Sequence, residues 1–161
     1  MRLEVTRKSD LAVRALRVLD VADGRVKGST LADAVGSTPG FLSQVVNPLV
    51  RAGWIRSDPG PTGGYSLAVD LADVSVLAVI EAIEGPTDDG NCVLIDRPCG
   101  DSGPCAIHEP WSRALECLVA ELAGTSVADA ELIREVAVAL ADERAGAEPQ
   151  LESSVADGPA G

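Results

Sequence analysis

Residues 28–67 hold the pattern that most restricts what this chain can become. A short helical stretch at about 30–35, with Ser29 or Thr30 as its expected cap, breaks at Gly36. Thr38-Pro39 then starts a second helix, with Thr38 as N-cap and Pro39 in the first turn, where its missing N–H costs nothing. That helix carries Phe41, Leu42, Val45, Val46, Leu49 and Val50 and stops at Gly53. Two strand-like runs follow, Trp54-Ile55-Arg56 and Tyr65-Ser66-Leu67, around the dense turn signal of residues 57–64. Short helix, tight turn, longer helix and hairpin together describe a winged helix-turn-helix. Pro48 conflicts with this pattern. In mid-helix it removes the bond to the Gln44 carbonyl and costs about 3 kcal/mol unless the helix bends. A kink or an early end near Val46-Asn47 is expected.

The flanking segments read as helices too. Leu11, Ala15, Val18, Leu19 and Ala22 give residues 9–22 an apolar face, with Ser9 or Asp10 as the expected N-cap. Ser75 caps an apolar helix to about Glu84, closed by Gly85-Pro86. Residues 87–106 show no periodicity and form a loop. Beyond it Trp111, Leu115, Leu118 and Leu122 recur at intervals of 4, 3 and 4, a narrow stripe suited to packing on a partner helix. Gly124 ends that helix, and Ser126 is placed to cap a last one to about Glu143. The expected fold is mainly α: a winged helix-turn-helix with a small β-hairpin wing and a long C-terminal dimerisation helix. Its parts are a DNA-binding domain at 1–86, a cysteine loop at 87–106, helices at 107–143 and a disordered acidic tail at 144–161.

With only four aromatic residues among 161, the core must be built from Leu, Val, Ile and Ala. No apolar run nears the roughly 20 residues of a membrane span, and residues 1–10 lack the apolar centre of a secretory signal. A cytoplasmic location with no membrane partner is expected. The net charge of −12 looks unfavourable for nucleic acid. However, residues 1–70 hold nine Lys/Arg against seven Asp/Glu, a net of +2, and the remainder carries −14. The acid is confined to the C-terminal half, so it does not exclude DNA binding. An enzyme is not expected: there is one His and no paired catalytic set, and Gly63-Gly64 is followed by no helix that binds phosphate.

A helix-turn-helix reads double-stranded DNA by placing its second helix in the major groove while the wing touches the backbone or minor groove. Thr38, Pro39, Gly40, Ser43, Gln44 and Asn47 lie off the apolar face near the start of that helix. Gln and Asn make paired hydrogen bonds to adenine, and small residues let backbone N–H groups approach phosphate. Arg51 and Arg56, with Arg14 or Arg17, are candidates for phosphate, and Thr62, Gly63 and Gly64 for the wing contact. The plainer alternative is that this unit only buries aliphatics and serves protein contacts.

Cys92, Cys99 and Cys105 are spaced C-x6-C-x5-C, with His108 three positions later. Three soft ligands on one Gly- and Pro-containing loop suit a single metal centre. Three Cys plus His equally suit a structural zinc ion. Burial as ordinary core thiols fits poorly beside Asp88, Asp89, Asp96 and Asp101. Cys117, inside the leucine-striped helix, reads as a small core or interface residue.

These residues resemble the Rrf2 family of winged-helix regulators. The likeness is carried by residues 9–16, by Arg51-Ala52-Gly53, by the wing Gly60-Pro61-Thr62-Gly63-Gly64-Tyr65, and by Ile80 to Pro86. The run from Cys92 through Cys99 to Cys105-Ala106-Ile107-His108-Glu109-Pro110-Trp111 completes it, and about residues 1–135 are covered. The resemblance implies a homodimer that binds a near-palindromic operator. It also implies a 2Fe–2S or 4Fe–4S cluster on the three cysteines plus one other ligand. In IscR-like members that ligand is a His at the position of His108. In NsrR-like members it is an acidic residue of the other subunit, where Asp10 stands here. Two departures are visible. Pro59 occupies the wing position of an Arg found in IscR-like proteins, and the first cysteine gap is six rather than five.

Overall fold

The computed structural model describes residues 5–22, 24–60, 63–87, 90–94, 97–99 and 103–130. Thr62, residues 131–143 of the expected last helix and the 144–161 tail lie outside them. Five α-helices and one hairpin are found among the described residues: α1 (Arg7–Ala22), α2 (Gly28–Ala34), α3 (Pro39–Arg51), β1 (Ile55–Asp58), β2 (Gly64–Leu67), α4 (Val76–Glu84) and α5 (His108–Gly124), with a 3-10 turn at Leu71–Asp73.

Leu11, Ala12, Ala15, Leu16 and Leu19 of α1 meet Leu42, Val45, Val46 and Leu49 of α3, all buried in one aliphatic core. Helix α1 starts earlier than the sequence suggests. The Thr6 hydroxyl accepts the Lys8 N–H at 3.0 Å, so Thr6 takes the capping role, and Ser9 and Asp10 lie inside the helix. Helix α2 likewise begins at Gly28, and its N-cap, Lys27, makes no side-chain capping bond. Ser29 and Thr30 are therefore helical residues rather than caps.

Gly36 adopts a φ of 66°, the left-handed conformation that turns the chain from α2 into α3. As expected, the Thr38 hydroxyl accepts the Phe41 N–H at 3.3 Å and Pro39 opens α3. The expected early end at Pro48 does not occur. Helix α3 continues to Arg51, and the Pro48 carbonyl accepts the Ala52 N–H at 2.9 Å. One lost bond at Gln44 is outweighed by four buried side chains, Leu42, Val45, Val46 and Leu49, which hold the helix to the core on both sides of the proline.

Strands β1 and β2 pair antiparallel, from Ile55 opposite Leu67 to Asp58 opposite Gly64. The connector between α1 and α2 joins them: Val26 and Tyr65 exchange two backbone hydrogen bonds, each 2.8 Å. A Cβ on Gly64 would stand 2.3 Å from the Val26 carbonyl oxygen, so this junction requires glycine. An ion pair of 2.8 Å between Arg25 and Asp58 braces the same contact.

Ser75 caps α4 through the Ala78 N–H. After α5 the Ser126 hydroxyl accepts the Asp129 N–H at 3.1 Å, the bond expected of a cap, and residues 131–143 of the helix expected after it lie outside the described residues. Val76 donates to the Thr125 carbonyl at 2.9 Å and Val127 to the Val74 carbonyl at 2.8 Å, which straps residues 125–127 along the entry to α4. Val127 and Ala130 are buried in the main core.

Candidate nucleic-acid interface and metal centre

The outward face of α3 is continuous. Burial of Leu42, Val45, Val46 and Leu49 leaves Thr38, Pro39, Gly40, Ser43, Gln44, Asn47 and Arg51 exposed, from the N-terminus of the helix to its last turn. Gln44 and Asn47 lie three residues apart, hence on one side of the helix. The Ser43 hydroxyl donates to the Pro39 carbonyl at 3.0 Å, so it is partly committed within the helix. Arg56 is exposed on β1. Arg14 is engaged with Asp10 at 3.0 Å and Arg17 with Asp20 at 3.5 Å. A Cβ on Gly63 would stand 2.2 Å from the Asp58 carbonyl oxygen, and Gly64 abuts Val26, so packing alone accounts for both wing glycines.

The three loop cysteines converge. The sulfurs of Cys92, Cys99 and Cys105 all lie within 4.8 Å of one another, and Cys92 Sγ is 3.5 Å from Cys105 Sγ. Cys92 is buried, while Cys99 and Cys105 are half-buried. Backbone turns aim them: Cys92 N–H donates to the Arg97 carbonyl at 2.8 Å, and His108 N–H to the Cys105 carbonyl at 3.0 Å. The second turn brings His108 Nδ1 to 3.6 Å from Cys99 Sγ. Asp10 stands on α1, paired with Arg14, and does not join the cysteine group of its own chain. Loss of surrounding water, then the neighbouring Cys92 thiol, pushes the Cys105 thiol above its ordinary value. A cavity of about 280 Å³ opens beside the group, lined by Cys92, Cys105, His108 and Trp111 among others. Three close thiols with an imidazole at the edge are a donor set for iron or zinc, and they fit the implied cluster by chemistry and convergence.

Helix α5 divides its leucine stripe. Leu115 is buried and Leu122 half-buried, whereas Trp111 is 40% and Leu118 45% exposed. Cys117 is exposed beside them.

Sequence reasoning missed a polar tie at the end of α4. Glu84 accepts hydrogen bonds of 2.6 Å from the hydroxyls of both Thr6 and Ser9. One turn earlier, Glu81 accepts the Thr87 N–H at 3.0 Å and the Thr87 hydroxyl as well. Those bonds from Thr87, side chain first, hold the Glu81 carboxyl below its ordinary value despite partial burial. The available signal was the three-residue spacing Glu81, Glu84, Thr87 next to a helix end.

Comparison with known proteins agrees with this geometry. A family model described as Rrf2, an iron-dependent transcriptional regulator, matches residues 5–131. A Neisseria meningitidis serogroup A protein, named as an HTH-type transcriptional regulator, is 33% identical over 115 residues, covering 69% of this chain and 76% of its own. The regulator IscR of Yersinia pseudotuberculosis is 30% identical over 131 residues, 79% of this chain and 78% of that one. Among solved structures, Staphylococcus aureus CymR superposes with a TM-score of 0.61 at 25% identity, covering 77% of this chain and 94% of its own. No helix among the described residues is long and apolar enough to cross a membrane. With its winged helix-turn-helix and its match over most of its length, the chain belongs to the Rrf2 family of DNA-binding transcriptional regulators and is not an enzyme.

Proposed function

We propose that this regulator works as a cytoplasmic homodimer whose affinity for a near-palindromic operator depends on an iron–sulfur cluster. Cys92, Cys99 and Cys105 would hold it, with the fourth ligand supplied by His108 or by Asp10 of the second copy. The observation that carries this reading is the approach of the three sulfurs to within 4.8 Å of one another. Thiolate-bound iron and sulfide would supply redox- and nitric-oxide-sensitive chemistry. The chain's own part is to gather the thiolates and to couple the loop to the DNA-reading unit. The α3 face of Thr38, Pro39, Gly40, Ser43, Gln44, Asn47 and Arg51 reads the major groove, with Arg56 and the wing of Thr62, Gly63 and Gly64 along the backbone. Trp111 and Leu118, exposed in the single chain, form with Leu115 and Leu122 the seam between copies. The test is anaerobic purification followed by native mass spectrometry and visible absorbance. A brown dimer with cluster mass supports the reading; a colourless protein lacking iron removes it.

A second reading has its own support. Sulfur–sulfur and sulfur–nitrogen separations of 3.5 and 3.6 Å lie near the roughly 3.6–3.8 Å edges of a tetrahedron built on Zn–S bonds of about 2.3 Å. A Cys₃His zinc ion would make the loop a structural staple or thiol sensor, and elemental analysis separates the two.

A further inference from the structure

Two carboxylates at the end of α4 bind in two directions, one toward the loop and one toward the DNA-reading unit. On the loop side, Glu81 holds Thr87, a buried residue five positions before Cys92, by both its N–H and its hydroxyl. On the other side, Glu84 grips Thr6, the cap of α1, and Ser9 in its first turn with bonds of 2.6 Å, and Ser9 is only 1% exposed. The same turn reaches the helix-turn-helix: Arg7 Nη2 donates to the Gly36 carbonyl at 3.4 Å, two residues before Thr38 caps α3. Glu81 and Glu84 lie on one side of a rigid helix whose buried residues, Val79 and Ile80, fix its position. A carboxylate accepting two hydroxyls, one of them buried, is a stronger fastening than a neutral pair would be.

We propose that Glu84 is a positioning residue through which the state of the cysteine loop sets the pose of α1 and, through Arg7 and Gly36, of the recognition helix. This rests on the cluster-dependent reading above. Glu84 belongs neither to the exposed face of α3 nor to the cysteine group. Its role is to transmit: a change in the loop that shifts Thr87 moves α4 at Glu81, and Glu84 carries the movement to the start of α1.

The test compares operator affinity of anaerobically reconstituted and metal-free full-length protein, using a duplex selected from a random library by the reconstituted wild type. The readout is the ratio of the two affinities. A wild-type ratio of about tenfold or more is expected. In Glu84→Ala it falls to within about twofold of unity while the cluster absorbance is retained. Glu84→Gln keeps most of the ratio, because its amide oxygen still accepts from both hydroxyls. A lowered melting temperature with the ratio intact in Glu84→Ala would overturn the proposal, since that is the mark of a merely stabilising contact. Should Glu84→Ala not fold, Thr87→Val loosens only the loop side; it is expected to reduce the ratio, and an unchanged ratio there is equally fatal. A wild-type ratio of one removes the cluster-dependent reading itself and this inference with it. The two failures are distinguished by which protein shows them.

Discussion

Cys92 and Cys105, separated by twelve residues of chain, hold their sulfurs 3.5 Å apart. Sulfurs that close share any metal bound there, so no single thiol is dispensable. Replacing Cys99 or Cys105 by Ala is expected to bleach the anaerobic protein and change its operator affinity, measured by visible absorbance and fluorescence anisotropy. Retained iron and sulfide in both variants would contradict the assignment.

Uptake of metal by the metal-free protein should depend on pH through Cys105. Its thiol is raised, first by loss of water around it, and a thiol must lose its proton to bind metal. Apparent affinity for a divalent ion should therefore climb through the ordinary thiol range and continue to climb above it. Competition against a chelator at stepped pH measures this.

Glu81 carries the opposite sign. Its folded value lies below the ordinary 4.5, chiefly because of the Thr87 hydroxyl. Its stabilising contribution is thus complete above about pH 4.5 and is lost as pH falls through the lowered folded value. The melting-temperature gap between wild type and Glu81→Gln should be widest near neutrality and close in acid.

On the proposed DNA-reading side, residues proposed to read and residues that hold the fold should respond differently to substitution. Gln44→Ala and Asn47→Ala should weaken operator binding by about 1–3 kcal/mol each with stability changed by less than about 0.5 kcal/mol. Gly64→Ala should do the reverse first. Its Cβ would strike the Val26 carbonyl and lower stability by about 1–3 kcal/mol, as thermal melting will report.

Leu118→Glu puts a charge on the exposed side of α5. Sedimentation should show a dimer in the wild type and monomers in this variant. Weakened DNA binding should accompany the change, because two half-sites are then no longer read together.

Much of the architecture was legible in the sequence because it depends on local chemistry. Thr38-Pro39, Gly36 and the Gly/Pro turn of the wing fix backbone conformations by themselves, and the aliphatic spacing of α3 dictates which side faces Gln44 and Asn47 outward. Helix starts were less legible. Thr6 competes with Ser9 and Asp10 for the same capping role, and the choice is made by Glu84, seventy-five residues from Ser9. The strap at 125–127 was invisible for a similar reason. Ser126 does cap the turn at Asp129, but the burial of Val127 depends on a core assembled from distant elements. Pro48 shows tertiary packing overriding a local rule. At the candidate metal centre, the cysteine spacing pointed to convergence, whereas the nearness of His108 to Cys99 needed the turn at Cys105.

The strap also changes what α5 can be mechanically. One end of this helix follows the cysteine loop, and the other is stitched by backbone bonds at Thr125 and Val127 to the residues that begin α4. It is a beam built into its own frame, with no swivel at the far end. In the proposed dimer, a tilt imposed on this helix at the seam would pass through the strap to α4 rather than be absorbed at a loose joint.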